Sequence, residues 1–505
     1  MKKITLILCI LLVSALMILP IISCGGADGG NNGNNDGGNQ NNDAQNPGAD
    51  GAGDVPAEPE KVDALSVIAG LPDEDYGGYE FRIWTSNWFN TTLEGRQAPD
   101  EEQTGDLIND ALYIRDKQIE EKYNIEIKYT IYAEADPVFQ NSKKAINAGD
   151  DAFDFSMDMM MILAKGLSQG GMLVDFNAIP NIDLTKEWWS KYAIRDLTID
   201  GRFFFPTGDI TARYPGSQYL MLFNKKVFSD MGLEYPYQTV LEGNWTLDAL
   251  FDITKGATKD LNGDGVLNKK DDFFGLVVET MAPICFLQAS GEGLTNIVDG
   301  NPVVNIKNDR TIAIMEKMAE AWGDPYRVYY PPGYNTYDEV PIFKEDRALF
   351  AAMTGTNTSL FKDMESDFGI VPLPKYDANQ PEYYSHCQPW GSAAVCVPIT
   401  AKDLERTGMI IEAMAAGGRY TSTPAAYEIT LKTKYARDEE SEKMLDIICD
   451  GSRYDFAHIY DWGQLYSGFC SAINKGESYL TKFEASEGKI QTAMEKTIDA
   501  FANSD

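Results

Sequence analysis

Tyr79-Glu-Phe-Arg-Ile-Trp84 places apolar residues at every second position. Asp106 to Tyr123 then spaces Leu107, Ile108, Ala111, Leu112 and Ile119 as one face of a helix, and Ile125-Glu-Ile-Lys-Tyr-Thr-Ile131 alternates again. The hydrophobic period passes from 2 to 3.6 and back. Strand, crossover helix and strand predict a parallel sheet of the α/β class. Further along, Phe153 to Met157 reads as a buried strand. Gly201-Arg-Phe-Phe-Phe-Pro206 and Tyr219-Leu-Met-Leu-Phe-Asn224 read as extended segments. Strands are also predicted at Ala348 to Met353, Phe368 to Pro372 and Ala393 to Val397, among helices at 305–322, 402–416 and 439–450. No internal repeat is visible.

From Tyr76 to Asp505 this α/β body has about 430 residues, too long for one core and natural for two lobes. Upstream the chain is of another kind. Lys2 and Lys3 precede an apolar run from Ile4 to Leu19, and Pro20 ends it. That is the layout of a signal peptide, and the run is shorter than the roughly 20 residues a spanning helix needs. No later stretch is apolar enough to span. Ile21-Ile22-Ser23-Cys24 resembles the bacterial lipobox, which predicts cleavage after residue 23 and a diacylglycerol on Cys24. The mature chain would then sit at the outer face of the cytoplasmic membrane. Residues 24–75 read as its tether: from Gly25 to Glu60 they are almost wholly Gly, Asn, Asp, Ala, Pro and Gln, a composition too poor in apolar surface to offset the entropy of ordering.

The net charge is −34, and loss of residues 1–23 with Lys2 and Lys3 makes it −36. Such a field repels nucleic acid and anionic headgroups. Five cysteines remain in the body, Cys285, Cys387, Cys396, Cys449 and Cys470, with no CxxC. This predicts neither a disulfide framework nor a zinc ribbon, and buried free thiols for most of them.

Several segments in order carry a resemblance: Trp84-Thr-Ser-Asn87, Tyr123-Asn-Ile-Glu-Ile127, Asn147-Ala-Gly-Asp-Asp-Ala-Phe-Asp154, Gly170-Gly-Met-Leu-Val-Asp175, Leu222 to Leu233, Gly243-Asn-Trp-Thr-Leu-Asp248 and Phe368 to Asp377. With the lipobox before them, the chain resembles the extracellular solute-binding proteins of ABC importers, in the family of the maltose-binding protein and clostridial sugar-binding lipoproteins. The resemblance covers Tyr76 to Trp462. It implies a two-lobed periplasmic-binding-protein-like fold of the class II type, with a hinge and an interdomain cleft. By analogy one lobe holds 76–212 and 391–450, the other 217–388 and 453–505. It further implies a monomer that binds an oligosaccharide or other polar solute and docks on ABC permease subunits.

Sugar recognition needs flat aromatic rings against C–H faces and oriented polar groups for the hydroxyls. Trp84, Ser86, Asn87 and Trp88 follow the first strand, and Asp158 follows the strand from Phe153. Asp209, Arg213, Tyr214 and Gln218 lie at the first crossing between lobes. Thr356 and Asn357 follow Met353, while Trp390 stands at the second crossing and Trp462 in the last segment. A tryptophan is more often core than cleft, so each ring here has a structural alternative.

Asp260-Leu-Asn262-Gly-Asp264-Gly-Val266-Leu-Asn268-Lys-Lys-Asp271 matches the 12-residue calcium loop, with oxygens at positions 1, 3, 5, 7, 9 and 12. Asp at position 12, where the EF-hand has Glu, resembles a dockerin loop. The expectation is a structural Ca2+; the alternative is an Asx-rich turn that needs no metal. Catalytic patterns are weak. Gly166-Leu-Ser168-Gln-Gly170 fits a nucleophile elbow only in letters, since a helix is predicted to end there rather than begin. His386 and His458 are the only histidines. The reading is therefore no enzyme, with a surface glycosidase, which needs only two carboxylates, and a carbohydrate-binding adhesion protein as rivals.

Overall fold

Alternation in Tyr79–Ser86 (β1) buries Phe81, Ile83 and Thr85 on one side, and Asp106 then starts the helix Leu107–Tyr123 by accepting a bond from the Asn109 N–H. Asn124, at φ 49°, ends that helix in the left-handed region and turns the chain into Ile125–Tyr132 (β2). The two strands pair in parallel from Tyr79 opposite Ile125 to Ser86 opposite Tyr132. This computed structural model describes residues 64–90, 96–212, 216–331, 337–427 and 438–503. Cys24, the signal sequence and most of the tether lie outside them, as do Arg213 and Tyr214.

Phe155–Met159 (β3) adds to β1 in parallel after the helix Ala135–Ala148. The chain then builds a second sheet from Tyr219–Asn224 (β4), Phe274–Val278 (β5), Ala348–Thr354 (β8) and Phe368–Val371 (β9). Between β5 and β8 lies the hairpin Thr295–Val298 (β6) and Asn301–Val304 (β7). After Ser385–His386 (β10) the chain returns to the first sheet with Ala393–Cys396 (β11), antiparallel to β3. Ser452–Arg453 (β12) comes back to pair with β10.

The result is two four-stranded sheets, ordered β11-β3-β1-β2 and β5-β8-β4-β9, joined by the two-stranded β10-β12 pair. Each forms one lobe of an α/β, two-lobed periplasmic-binding-protein-like fold. β4 runs antiparallel to β8 and β9, and β5 runs parallel to β8. Helices are placed close to expectation at Asp309–Trp322, Leu404–Tyr420 and Glu439–Asp450. Phe203 to Phe205 differ: they are buried but form no strand, held by isolated bonds such as Phe176 N–H to the Phe203 carbonyl. All five described cysteines are free thiols. Among the described residues no helix is long and apolar enough to cross a membrane.

Candidate functional site

In open α/β sheets, ligands meet the chain where strands end and helices begin. On the first sheet that edge carries Ser86, at the end of β1, and Asp158, near the end of the adjacent β3. The two are bonded: Asp158 accepts from Ser86 and, at 2.7 Å, from the Met159 N–H. Burial pushes the Asp158 carboxyl up to about 6 against these bonds. Asn87 and Trp88 open the next short helix and are exposed, and the Trp88 N–H donates to Ser86 Oγ at 3.3 Å.

On the second sheet the same kind of edge carries Glu279, directly after β5, and Thr354 at the end of β8. Asn357 Nδ2 donates to Glu279 Oε1 at 2.6 Å, and the Thr354 N–H donates to the same oxygen at 3.4 Å. Burial, then the charge of Glu339, raises Glu279 to about 8. Glu339 itself is raised to about 7, chiefly by burial. Thr356 is half-buried, and its N–H donates to the Gly216 carbonyl at 3.0 Å.

The connection from β10 to β11 links these edges. Gln388 donates from Nε2 to Met281 Sδ at 2.7 Å and from its N–H to the Ser217 carbonyl, both in the second lobe's neighbourhood. Next to it, Pro389 and Ser392 offer carbonyls to the first N–H groups of the helix Met160–Ser168, which follows β3. Trp390 stands between them with 40% of its surface exposed. Ser86, Asp158, Trp390, Thr356 and Asn357 are thus placed at strand ends or on the connection between lobes.

The remaining candidates are committed to other partners. Trp84 stacks on Phe153 at 4.4 Å and meets Tyr132 edge-on. Asp209 is buried and accepts from Thr423 Oγ1 and Arg419, so both its oxygens are engaged within the first lobe. Trp462 is 2% exposed, stacks on Tyr460 at 5.3 Å and donates Nε1–H to Thr497 of the C-terminal helix Leu480–Ala502. It is a core residue. Gln218 sits in the joint, donating to Ser452 Oγ at 3.1 Å. Ser168, the elbow serine, is bonded to Tyr460 at 2.7 Å, while His386 and His458 bond to each other at 2.7 Å.

Buried polar atoms without a partner are spread over the described residues, and six of them belong to these strands, to the connection between lobes and to the helix Glu339–Lys344. They are Thr85 Oγ1, Asp158 Oδ2, Gln218 Oε1, Ser392 Oγ and both oxygens of Glu339. Four of these six are carboxyl or amide oxygens, and a native fold leaves few such groups unmatched. Sequence reasoning missed Glu279 and Glu339. The one available signal was an acid closing the apolar run Phe274-Gly-Leu-Val-Val278.

The loop 260–271 is closed by paired backbone bonds between Lys259 and Phe273. Inside it Asp260 accepts from the N–H groups of Gly263 and Gly265, Asn262 from Asp264, Asp264 from Val266, and Asn268 from Lys270. Gly265, at φ 80°, makes the turn that a side chain would strain. Asp271 is exposed, and its neighbour Asp272 is the buried residue that reaches back to the Leu261 and Asn268 N–H groups. Among the described residues no three His, Cys, Asp or Glu side chains are gathered as a metal site. The amides of Asn262 and Asn268 and the Val266 carbonyl would have to complete the donor set. Their types and spacing suit a hard cation.

No family model and no curated protein matches this sequence. Solved structures do. A cyclo/maltodextrin-binding protein complexed with maltotetraose aligns with TM-score 0.53 at 13% identity, over 84% of this chain and 96% of that one. The extracellular solute-binding protein from Staphylococcus aureus in complex with maltose gives 0.53 at 12% identity, over 84% and 96%. UgpB from Mycobacterium tuberculosis in complex with glycerophosphocholine gives 0.51 at 13% identity, over 84% and 99%. The chain has the fold of these binding proteins.

Proposed function

We propose that this chain captures a carbohydrate, an oligosaccharide, between its two lobes and delivers it to the permease subunits of an ABC importer. The observation that carries the reading is the pair of buried acceptor atoms without donors beside β3 and β4, Asp158 Oδ2 and Gln218 Oε1. A polyhydroxyl ligand brings the donors these atoms lack, and the exposed rings of Trp88 and Trp390 suit its C–H faces. Two similar folds carry maltotetraose and maltose, which supports a sugar, and the third carries glycerophosphocholine. Closure would bend the β10-β12 joint. No bond in the solute is broken.

In this reading the protein works as a monomer, held by a diacylglycerol on Cys24 at the outer face of the membrane, extracellular in a Gram-positive cell. The loop with Asp260, Asn262, Asp264, Val266, Asn268 and Asp271 holds a structural Ca2+, which would add to the Asx turns, the Lys259–Phe273 pairing and the Asp272 bonds that fix the segment. A thermal-shift screen against an oligosaccharide panel tests the capture. A rise in Tm without product release is expected; hydrolysis products, or affinity for insoluble glycan alone, would overturn it. Intact-mass measurement of the membrane-extracted protein should give a chain beginning at acylated Cys24, and any other N-terminus would refute the anchor.

A further inference from the structure

We propose that Glu279 and Glu339 form a subsite for a protonated amino group of the captured solute, so that the cleft favours amine-bearing glycans over neutral ones. This rests on the carbohydrate reading above. The two carboxyls reach the same end of the second sheet by different routes. Glu279 follows β5 directly, whereas Glu339 opens the helix Glu339–Lys344, which packs on β5 and β8. Glu339 is 1% exposed, and neither of its oxygens has a hydrogen-bond partner outside its own residue. On Glu279, Oε1 takes Asn357 Nδ2 and the Thr354 N–H, and Oε2 has the Thr354 hydroxyl at 3.5 Å.

A neutral hydroxyl does not satisfy this arrangement. It supplies one donor and no charge, and each carboxylate continues to oppose ionisation of the other. The raised values of about 8 and about 7 mean that near neutrality the pair retains protons. The other ionisable groups that interact with it are Tyr219 from β4, Cys285 from the helix Ala282–Ala289, Tyr329 and Tyr337 from the preceding segment, and Asp338 beside Glu339. None of them is a cation. Lys269 is bonded to Asp338 Oδ1 at 2.7 Å.

An ammonium supplies both missing items, a positive charge and three donors, enough for the two Glu339 oxygens and the second oxygen of Glu279. Tyr337, which interacts with both carboxyls and is 46% exposed, adds an aromatic ring suited to a cation. The third acid nearby, Asp338, is already paired through Oδ1 with Lys269, and among the described residues no three acids, histidines or cysteines are gathered as a metal site, so the pair fits an organic cation better than a metal ion.

The test is isothermal titration calorimetry at neutral pH on the full-length protein in detergent. Its probes are matched tetrasaccharides of the gluco and galacto series, each with hydroxyl, free amine or N-acetyl at C2, and CaCl2 alone. The amine form should bind at least about tenfold tighter than its hydroxyl and N-acetyl partners, the size of one well-placed charge contact. Glu339→Gln should bring that ratio close to one, and Glu279→Gln gives the same comparison if the first variant does not fold. Equal affinities across a matched set, or a ratio indifferent to both substitutions, overturn the inference and leave the carbohydrate reading standing. Binding by no member overturns both. Calcium binding abolished by Glu339→Gln assigns the pair to a metal and overturns the amine subsite alone.

Discussion

The side-chain amide of Asn357 donates to Glu279 Oε1 across 2.6 Å, tying the turn Gly355–Phe361 after β8 to the end of β5. In Asn357→Ala that oxygen retains only the long bond from the Thr354 N–H. Leaving a buried acceptor short of a donor costs about 1–3 kcal/mol. We therefore expect a lower Tm by calorimetry and a loss of oligosaccharide affinity of at least about tenfold. Unchanged affinity would remove this edge from the site.

Trp390 and Trp462 should separate binding from stability. Trp390→Ala removes a ring that is 40% exposed, so it should cost less than about 1 kcal/mol of stability while weakening binding. Trp462→Ala empties a core position and breaks the bond to Thr497, for a loss of about 3–5 kcal/mol. Urea unfolding and calorimetry on both variants check the contrast; equal stability losses would contradict the placement of Trp390.

The histidine pair predicts acid sensitivity. His386 is pushed down to about 3 by burial, and His458 is pushed down by burial and then by the charge of His386. The unfolded chain takes up these protons near 6.5 while the folded chain does not. Stability present above that value is thus lost as pH falls toward 3, by about 1.4 kcal/mol per pH unit for each histidine. The raised acids Asp158, Glu279 and Glu412 act in the opposite sense, contributing stability at low pH that is lost as pH rises through their folded values. Denaturant midpoints between pH 6 and pH 4 in wild type and His458→Leu isolate the histidine term. An identical slope in both would refute it.

For the calcium loop, EDTA should lower the Tm and added Ca2+ restore it, with Asp264→Ala abolishing the response. A metal-stripped sample that melts at the same temperature counts against a bound ion.

The opening strand, helix and strand were legible because every signal is local: alternation in β1 and β2, an Asp106 cap, and Asn124 able to turn left-handed. β3 begins at Phe155 rather than Phe153, since a strand buried on both faces gives no alternation to fix its start. Ser86 and Asp158 could be named in advance because strand ends are visible in sequence. Ring direction is not: Trp84 is partly buried and stacks on Phe153, while Trp88, four residues on, stays 49% exposed. Glu279 and Glu339 escaped notice because their burial is created by packing between distant segments.

The pairing of β10 with β12 has a consequence for biosynthesis. Every strand of both four-stranded sheets lies before residue 397, whereas the joint needs Ser452 and Arg453, and the core against it needs Trp462 and the C-terminal helix. As the ribosome releases the chain from its N-terminus, both sheets can assemble while the joint is still missing a strand. A nascent chain stalled before residue 452 should therefore hold both sheets about an unfinished connection, and the last fifty residues, whose helix Leu465–Asn474 packs on Ala282–Ala289 and Asp309–Trp322, complete the second lobe and lock the orientation.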